Sequence, residues 1–360
     1  HYVPANFIAQ ICKEEVPAAV VIAGGVHAEA HPEQMLQNPA IDAVGRGDGE
    51  MLMTDVARGA PWERIDGLSY RRGNAVHHNA PRPVEMELDR YPLPAYHLVD
   101  FDDYFPPVSS YRALPAMNVL MTRGCPGQCT FCNSANTVLR SRSVERLMEL
   151  IKTLRYDYGV KQIYFYDDTF TANRRAVKAF CERMIAERID VHWICYVRGD
   201  MFTEDTARLF SEAGCHQVLI GIESGSRTLM EAIGKPIKHE VYRRAVALAH
   251  RYHIEVRGSF IIGHVDETEA TMRAPLQFAI DLDLDLFQLA IMTPYPGTMM
   301  YQRFKAEGRL LHEDYSRYGQ NEVVFRLNHL SAEQVLRFER HAFRTFYFRP
   351  RAILRQLRRL

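Results

Sequence analysis

The sequence has no surplus of either charge: 44 Lys and Arg balance 44 Asp and Glu, a formal net charge of zero. A chain without a global field exerts no long-range pull on nucleic acid or on an anionic membrane, so no nucleic-acid partner is expected and electrostatic partners are met locally. It also lacks any run approaching the roughly eighteen consecutive apolar residues that a bilayer-spanning helix needs, and its first residues lack the basic-then-apolar pattern of a secretory signal. These absences predict a cytoplasmic protein with no transmembrane segment. Low-complexity tracts are missing too. With 47% hydrophobic and 24% charged residues the composition excludes collagen-like, disordered and disulfide-scaffold chains. At 360 residues two or three domains are expected. Residue 1 is His rather than Met and a helical pattern begins almost at once, so the reading expects an N-terminally truncated fragment.

Seven cysteines, an odd number in a chain read as cytoplasmic, argue against a disulfide framework. Cys12, Cys181, Cys195 and Cys215 stand alone, where single cysteines act as small hydrophobes. Cys125, Cys129 and Cys132 crowd into one loop.

Three textures divide the chain. Residues 1–60 alternate helix and strand, with Gly24-Gly25-Val26-His27 after one strand and Gly45-Arg46-Gly47-Asp48-Gly49-Glu50 after the next. That is the end of a doubly wound α/β domain, whose ligand loops lie at the carboxyl ends of strands. Residues 61–112 are proline-rich and read as a linker holding a hairpin. From 113 to 310, six strand-like runs alternate with helical segments, the first helix showing one apolar stripe of Val144, Leu147, Leu150, Ile151 and Leu154. Six strand-then-helix units in series require parallel strands with right-handed crossovers, so the fold class is α/β, a six-strand partial (β/α) barrel. Residues 311–360 form a helical, arginine-rich C-terminal segment.

The loop after the first barrel strand reads Arg123-Gly124-Cys125-Pro126-Gly127-Gln128-Cys129-Thr130-Phe131-Cys132. Barrel enzymes place their chemistry in such loops. Three thiolates spaced C-x3-C-x2-C can hold three irons of a [4Fe–4S] cluster and leave one iron open. The competing class is a non-catalytic binding module with a zinc-stabilised loop, although structural zinc prefers four protein ligands and paired knuckles.

These residues resemble the radical S-adenosylmethionine (SAM) enzymes. The resemblance extends through Phe131 before the last cysteine, Tyr166-Asp167-Asp168-Thr169-Phe170, Arg198-Gly199-Asp200, Gly221-Ile222-Glu223-Ser224-Gly225-Ser226, Phe260-Ile261-Ile262-Gly263 and Pro294-Tyr295-Pro296-Gly297-Thr298, in order after successive strands. It implies that the open iron chelates SAM, that an electron from the reduced cluster generates a 5′-deoxyadenosyl radical, and that a reductant such as flavodoxin or ferredoxin supplies the electron. Phe131, Asp168, Arg198, Glu223 and Ser224 are the implied SAM-side residues; Arg198 and Glu223 have the alternative of simply pairing with each other. One departure is His264-Val265-Asp266-Glu267, where the family usually has a proline–glycine pair. It leaves His264 either as a substrate-side group or as a solvated loop residue.

The N-terminal loops resemble the last two strand-loops of the cobalamin-binding domain that precedes many radical SAM enzymes, which implies cobalamin contacts at Gly24, Gly25, His27, Gly47 and Glu50. No second cysteine cluster follows the barrel, against the subgroup with auxiliary clusters, and no C-terminal β-barrel of the transfer-RNA methylthiotransferase kind is evident. The resemblance therefore implies methylation of an unactivated carbon on a small or lipid-like substrate, with a cobalamin-dependent oxidative cyclase or rearrangement enzyme as the alternative. The basic end, Phe346 to Arg355, reads either as a terminal helix packed on the barrel or as an amphipathic helix peripheral at a membrane surface.

Overall fold

Six apolar runs separated by amphipathic helices cannot pair as hairpins, because each helix carries the chain back to the same edge and forces the next strand to run parallel. The computed structural model, which describes residues 2–104, 106–107 and 110–357, has that arrangement. By internal contacts the chain divides into two units: His1–Met86 with Thr130–Asn133 and Thr293–Arg326, and Glu87–Cys129 with Ser134–Met292 and Leu327–Leu360.

In the larger unit six strands, β5 (Ala116–Val119), β6 (Gln162–Phe165), β7 (His192–Val197), β8 (Cys215–Glu223), β9 (Glu255–Ile262) and β10 (Leu286–Ile291), form one parallel sheet in sequential order. Register is continuous over its first three strands, Met117 beside Ile163 and Ile163 beside Trp193, and shifts within β8 at Cys215–Gln217 and Gly221–Glu223. Side chains alternate between two faces. One face packs Phe165 against Phe170, Phe180 and Trp193, ring centroids 4.6 to 5.6 Å apart, and Trp193 donates its indole N–H to the Ala213 carbonyl at 2.7 Å. The other gathers Tyr164, Ile194 and Leu219, with Tyr196 packed against them.

The crossover helices include α4 (Val144–Lys152), α5 (Arg174–Ala186), α6 (Glu204–Glu212), α7 (His239–Arg251) and α8 (Glu269–Asp281). Helix α4 starts at Ser143, whose hydroxyl accepts from the Arg146 amide, and buries Leu147, Leu150 and Ile151; Leu154 continues the stripe in a π-helical turn, Thr153–Asp157. After β10 and the intervening loops, α9 (Ala332–Tyr347) docks on β10 through Tyr347, whose hydroxyl donates to the Phe287 carbonyl at 2.8 Å. Helix α10 (Pro350–Leu357) follows.

The smaller unit holds α1 (Tyr2–Glu15), β1 (Ile22–Ala23), α2 (Val26–Ala30), β2 (Ala43–Gly45), α3 (Gly49–Ala57), β3 (Leu68–Arg72) and β4 (Ala75–His78). Strands β1 and β2 pair in parallel, and β3 and β4 add antiparallel strands to the same sheet. The hairpin read as part of a linker at 61–112 is thus two strands of this sheet. Residues 293–326 also pack with this unit rather than with the barrel-like sheet. Among the described residues no helix is long and apolar enough to cross a membrane.

Candidate active site at the carboxyl ends of the strands

Beyond β5, Thr122–Arg123 pairs antiparallel with Arg140–Ser141, so the residues between them form a closed loop. Its base is tied to the next strand by Asp167. The Asp167 carboxylate accepts from the Thr122 hydroxyl at 2.6 Å, from the Thr122 amide and from the Met121 amide at 3.3 Å. Burial pushes its pKa up to about 6 against the pull of those donors. Gly124 sits at φ +87°, and a Cβ there would lie 2.2 Å from the Val138 carbonyl oxygen. Only glycine fits.

The limb carrying Cys125 is braced on both sides. Its amide donates to the Thr137 hydroxyl at 2.9 Å, its carbonyl accepts from the Thr137 amide at 3.0 Å, and the Asn136 amide donates to the Gly127 carbonyl at 2.6 Å. A Cβ at Gly127 would lie 3.2 Å from the Cys125 sulfur and 3.3 Å from Nη1 of Arg198. The Gln128–Cys129 limb rests on Gly234, where a Cβ would come within 2.4 Å of the Gln128 carbonyl oxygen. Thr130–Asn133, which holds Phe131 and Cys132, counts with the smaller unit, Thr130 accepting from the Met300 amide at 2.9 Å. Cys125, Cys129 and Cys132 are all half-buried, and none forms a disulfide.

Arg198 follows β7 and Glu223 ends β8, but they do not pair with each other. Arg198 grips Asp200 with two hydrogen bonds, 3.1 Å from Nε and 2.9 Å from Nη2. Asp200 chiefly holds the guanidinium above its ordinary pKa, and the Cys129 and Cys125 sulfurs nearby add to the effect. Glu223 instead forms an ion pair with Lys235 at 2.6 Å, both side chains 9% exposed. The Lys235 ammonium also donates to the Gly221 carbonyl at 2.8 Å, and the Tyr242 hydroxyl donates to the same oxygen at 3.4 Å. A β-bulge between Gly221 and Glu223 turns Glu223 to φ +66°. A side chain at Gly221 would collide with the pair: its Cβ would lie 2.4 Å from the Glu223 carboxylate and 2.8 Å from Nζ. Ser224, fully buried, accepts from the Ser226 amide at 3.1 Å. Asp168 points outward and is exposed.

Lys235 escaped the sequence reading because it lies in a turn twelve residues after its partner. The available signal was Gly234-Lys235-Pro236, a turn with a charge in an otherwise apolar stretch. A cavity of about 210 Å³ opens over β5 and β6, between Ala116, Met117, Tyr164 and Tyr166 on the sheet side and Tyr104 and Pro106 of the preceding segment. The Tyr164 and Tyr166 rings lie 4.5 Å apart and Tyr196 is within 5.8 Å of Tyr166.

Residues 119–279 match the sequence model of the Radical SAM superfamily. The uncharacterized methyltransferase PH0819 of Pyrococcus horikoshii is 36% identical over 98% of this chain and 78% of its own length. The chain belongs to the radical SAM superfamily. The anaerobic magnesium-protoporphyrin IX monomethyl ester cyclase of Cereibacter sphaeroides is 25% identical over 96% of this chain and 58% of its own length. Among solved structures, the radical SAM methyltransferase TsrM from Kitasatospora setae, with cobalamin and a [4Fe–4S] cluster bound, superposes with a TM-score of 0.68 at 19% identity, covering 84% of this chain and 61% of that one. That likeness is one of fold.

Membership of the radical SAM superfamily implies a [4Fe–4S] cluster, SAM and an electron donor. The donor set fits a cluster: three reduced thiols on one loop, two of them beside a guanidinium, with glycines where the backbone must fold back. Among the described residues no three His, Cys, Asp or Glu side chains are grouped closely enough to hold a metal ion, so the three cysteines share one loop without converging on a common point.

The N-terminal glycine loops lie at the carboxyl ends of two adjacent parallel strands, Ile22 opposite Ala43. Gly25 at φ +86° and Gly47 at φ +82° have no heavy atom within 4 Å of where a Cβ would stand. Both glycines adopt a left-handed backbone that a side chain would strain, with open space beside them. Gly24 is exposed and Glu50 lies in the first turn of α3. His27 is differently placed: its Nε2 bonds to Gln34 at 3.1 Å, its ring packs on Tyr2 and Tyr315, and burial lowers its pKa.

His264, read as solvated or substrate-side, is buried, its Nε2 on the Ile261 carbonyl at 3.1 Å and its pKa lowered to about 4. Beside it the Glu267 carboxylate accepts from the Gly263 amide and from the His264 amide at 3.2 Å, and burial pushes its pKa up to about 7. His264 is therefore an internal packing residue of the fifth loop.

Proposed function

We propose that this protein is a cobalamin-dependent radical SAM methyltransferase acting on an unactivated carbon of a small or lipid-like molecule. The observation that carries the reading is the braced Cys125–Cys129 loop with Arg198 beside it, at the carboxyl ends of β5 and β7. It is supported by the 36% identity to a protein described as a methyltransferase. When bound, the reduced cluster and SAM supply hydrogen abstraction and cobalamin supplies methyl transfer, while the protein orients them.

Cys125, Cys129 and Cys132 hold the cluster, with Phe131 shielding the loop. Arg198, already committed to Asp200 on one edge, offers its remaining N–H groups to the SAM carboxylate. Glu223 receives the SAM ammonium, and Lys235 and the Gly221 carbonyl keep its side chain from turning away. The outward-facing Asp168 completes the polar rim, and the buried Ser224 supports the Ser226 amide on the SAM side of its own loop. The aromatic cavity at Tyr164 and Tyr166 takes the apolar part of the substrate. Gly24, Gly25, Gly47 and Glu50 lie along the cobalamin nucleotide tail, with His27 behind them as packing.

Anaerobic reconstitution followed by incubation with methyl-labelled SAM and candidate extracts tests this. The expected result is iron uptake, S-adenosylhomocysteine and a labelled product, with a visible-spectrum change on titration with hydroxocobalamin. Stoichiometric zinc without iron would overturn the cluster. Deoxyadenosine with no labelled product would move the protein to the cyclase reading, which the 25% identity to a cyclase keeps in view.

A further inference from the structure

Helix α10 is turned inside out. Ala352, 3% exposed, and Arg355 face the body of the protein. Arg355 donates to the carbonyls of Asp283 and Leu284 at 3.0 and 3.1 Å and to the Asp283 carboxylate at 2.6 Å, and lies 3.4 Å from Asp285. The opposite face carries Ile353, Leu354 and Leu357, spaced i, i+1 and i+4 so that they share one stripe, at 42, 55 and 61% exposure. Phe348, between α9 and α10, is 76% exposed. A surface helix normally points its apolar stripe at the core and its charges at water; here a charged side chain anchors the helix and the apolar stripe meets solvent.

The segment's own charge is one-sided, although Asp283 pairs with Arg355 and lies 3.7 Å from Arg351. Residues 340–357 include Arg340, Arg344, Arg349, Arg351 and Arg355 and no Asp or Glu, in a chain whose total charge is zero. Arg349 lies over the Phe346 ring at 4.1 Å, whereas Arg340, Arg344 and Arg351 are exposed. We propose that α10 docks this protein on an anionic lipid surface, its Ile353–Leu354–Leu357 stripe entering the interface and the exposed Arg340, Arg344 and Arg351 meeting the lipid phosphates. Apolar side chains flanked by arginine are what such surfaces bind, by apolar burial plus attraction to negative headgroups. A second copy of the chain is a poorer occupant, because a two-fold pairing sets the same arginines against each other. The proposal is independent of the reaction proposed above.

Flotation of the purified chain with vesicles of phosphatidylcholine alone, and of phosphatidylcholine and phosphatidylglycerol at roughly three to one, tests it. The expected result is binding to the anionic vesicles that weakens with added salt and is about fivefold or more weaker on the neutral ones. Leu354→Glu with Leu357→Glu is expected to lower the anionic-vesicle partition by at least about tenfold with melting temperature unchanged. Arg351→Glu alone is expected to lower it by about tenfold, and it decides the matter if the double variant loses its fold. Equal partition of the wild type and these variants, or no preference for anionic lipid, overturns the proposal. So does a concentration-dependent dimer that the same substitutions abolish, which would assign the stripe to a second copy.

Discussion

Glu223 and Lys235 form a nearly buried ion pair at 2.6 Å, laid across the bare backbone of Gly221 at the carboxyl end of β8. A buried pair is costly to assemble and more costly to break from one side, because the remaining charge is left without a partner. The pair therefore acts as a unit that fixes where the Glu223 carboxylate can point.

Either single replacement, Glu223→Gln or Lys235→Met, should destabilise the fold by about 3–5 kcal/mol in urea unfolding, and the double replacement should recover part of that loss. Strictly additive losses would show that the two side chains do not form a unit. SAM affinity of the double variant, measured at equal folded fraction, should remain low because the carboxylate is gone.

Arg198→Lys keeps a positive charge but loses the planar two-point grip on Asp200. Because that pair is only partly buried, the melting temperature should change little. SAM affinity should fall roughly tenfold, consistent with the loss of one charged hydrogen bond. Unchanged SAM affinity with a lowered melting temperature would return Arg198 to a purely structural role.

Gly124→Ala asks the loop to accept a methyl group 2.2 Å from the Val138 carbonyl at a backbone angle that disfavours a side chain. The Cys125 limb must shift. Reconstituted iron per chain should drop well below wild type while far-ultraviolet circular dichroism stays the same. Full iron loading would show that the loop tolerates the shift.

The fifth loop predicts a pH dependence of stability. Glu267 has its pKa raised to about 7 in the folded chain, against an ordinary value of 4.5. Its contribution is therefore fully present below about pH 4.5 and is lost as pH rises through 7, on the order of 3 kcal/mol in all. His264, lowered to about 4, works in the other direction: stability falls as pH drops from 6.5 toward 4. Between pH 6.5 and 8 the His264 contribution is complete and Asp167, raised to about 6, is finishing a loss in the same direction, so Glu267 dominates the slope. Glu267→Gln should remove most of it, so that the variant gains on the wild type as pH rises; parallel curves for the two proteins would refute this assignment.

Much of the architecture was legible because it is written locally. The stripe of Leu147, Leu150 and Ile151, the six apolar runs and the spacing of Cys125, Cys129 and Cys132 each need only neighbours within a turn, a strand or a loop. The hairpin at 68–78 was anticipated, but its membership of the N-terminal sheet was not, since strand partners are chosen across sequence.

What the sequence by itself determined is the order of strands and helices and the presence of three thiols on a glycine-bounded loop after the first of the parallel strands. Periodicity and chain reach leave few other solutions. Tertiary structure alone decided which charges meet: Arg198 with Asp200 and Glu223 with Lys235, not Arg198 with Glu223. It also decided that Asp167 turns inward onto Thr122 while Asp168 faces water, that His264 is buried, and that α10 shows its leucines to solvent. Each of these depends on the desolvation cost and partner geometry found where distant segments pack, which no residue pattern within one segment encodes.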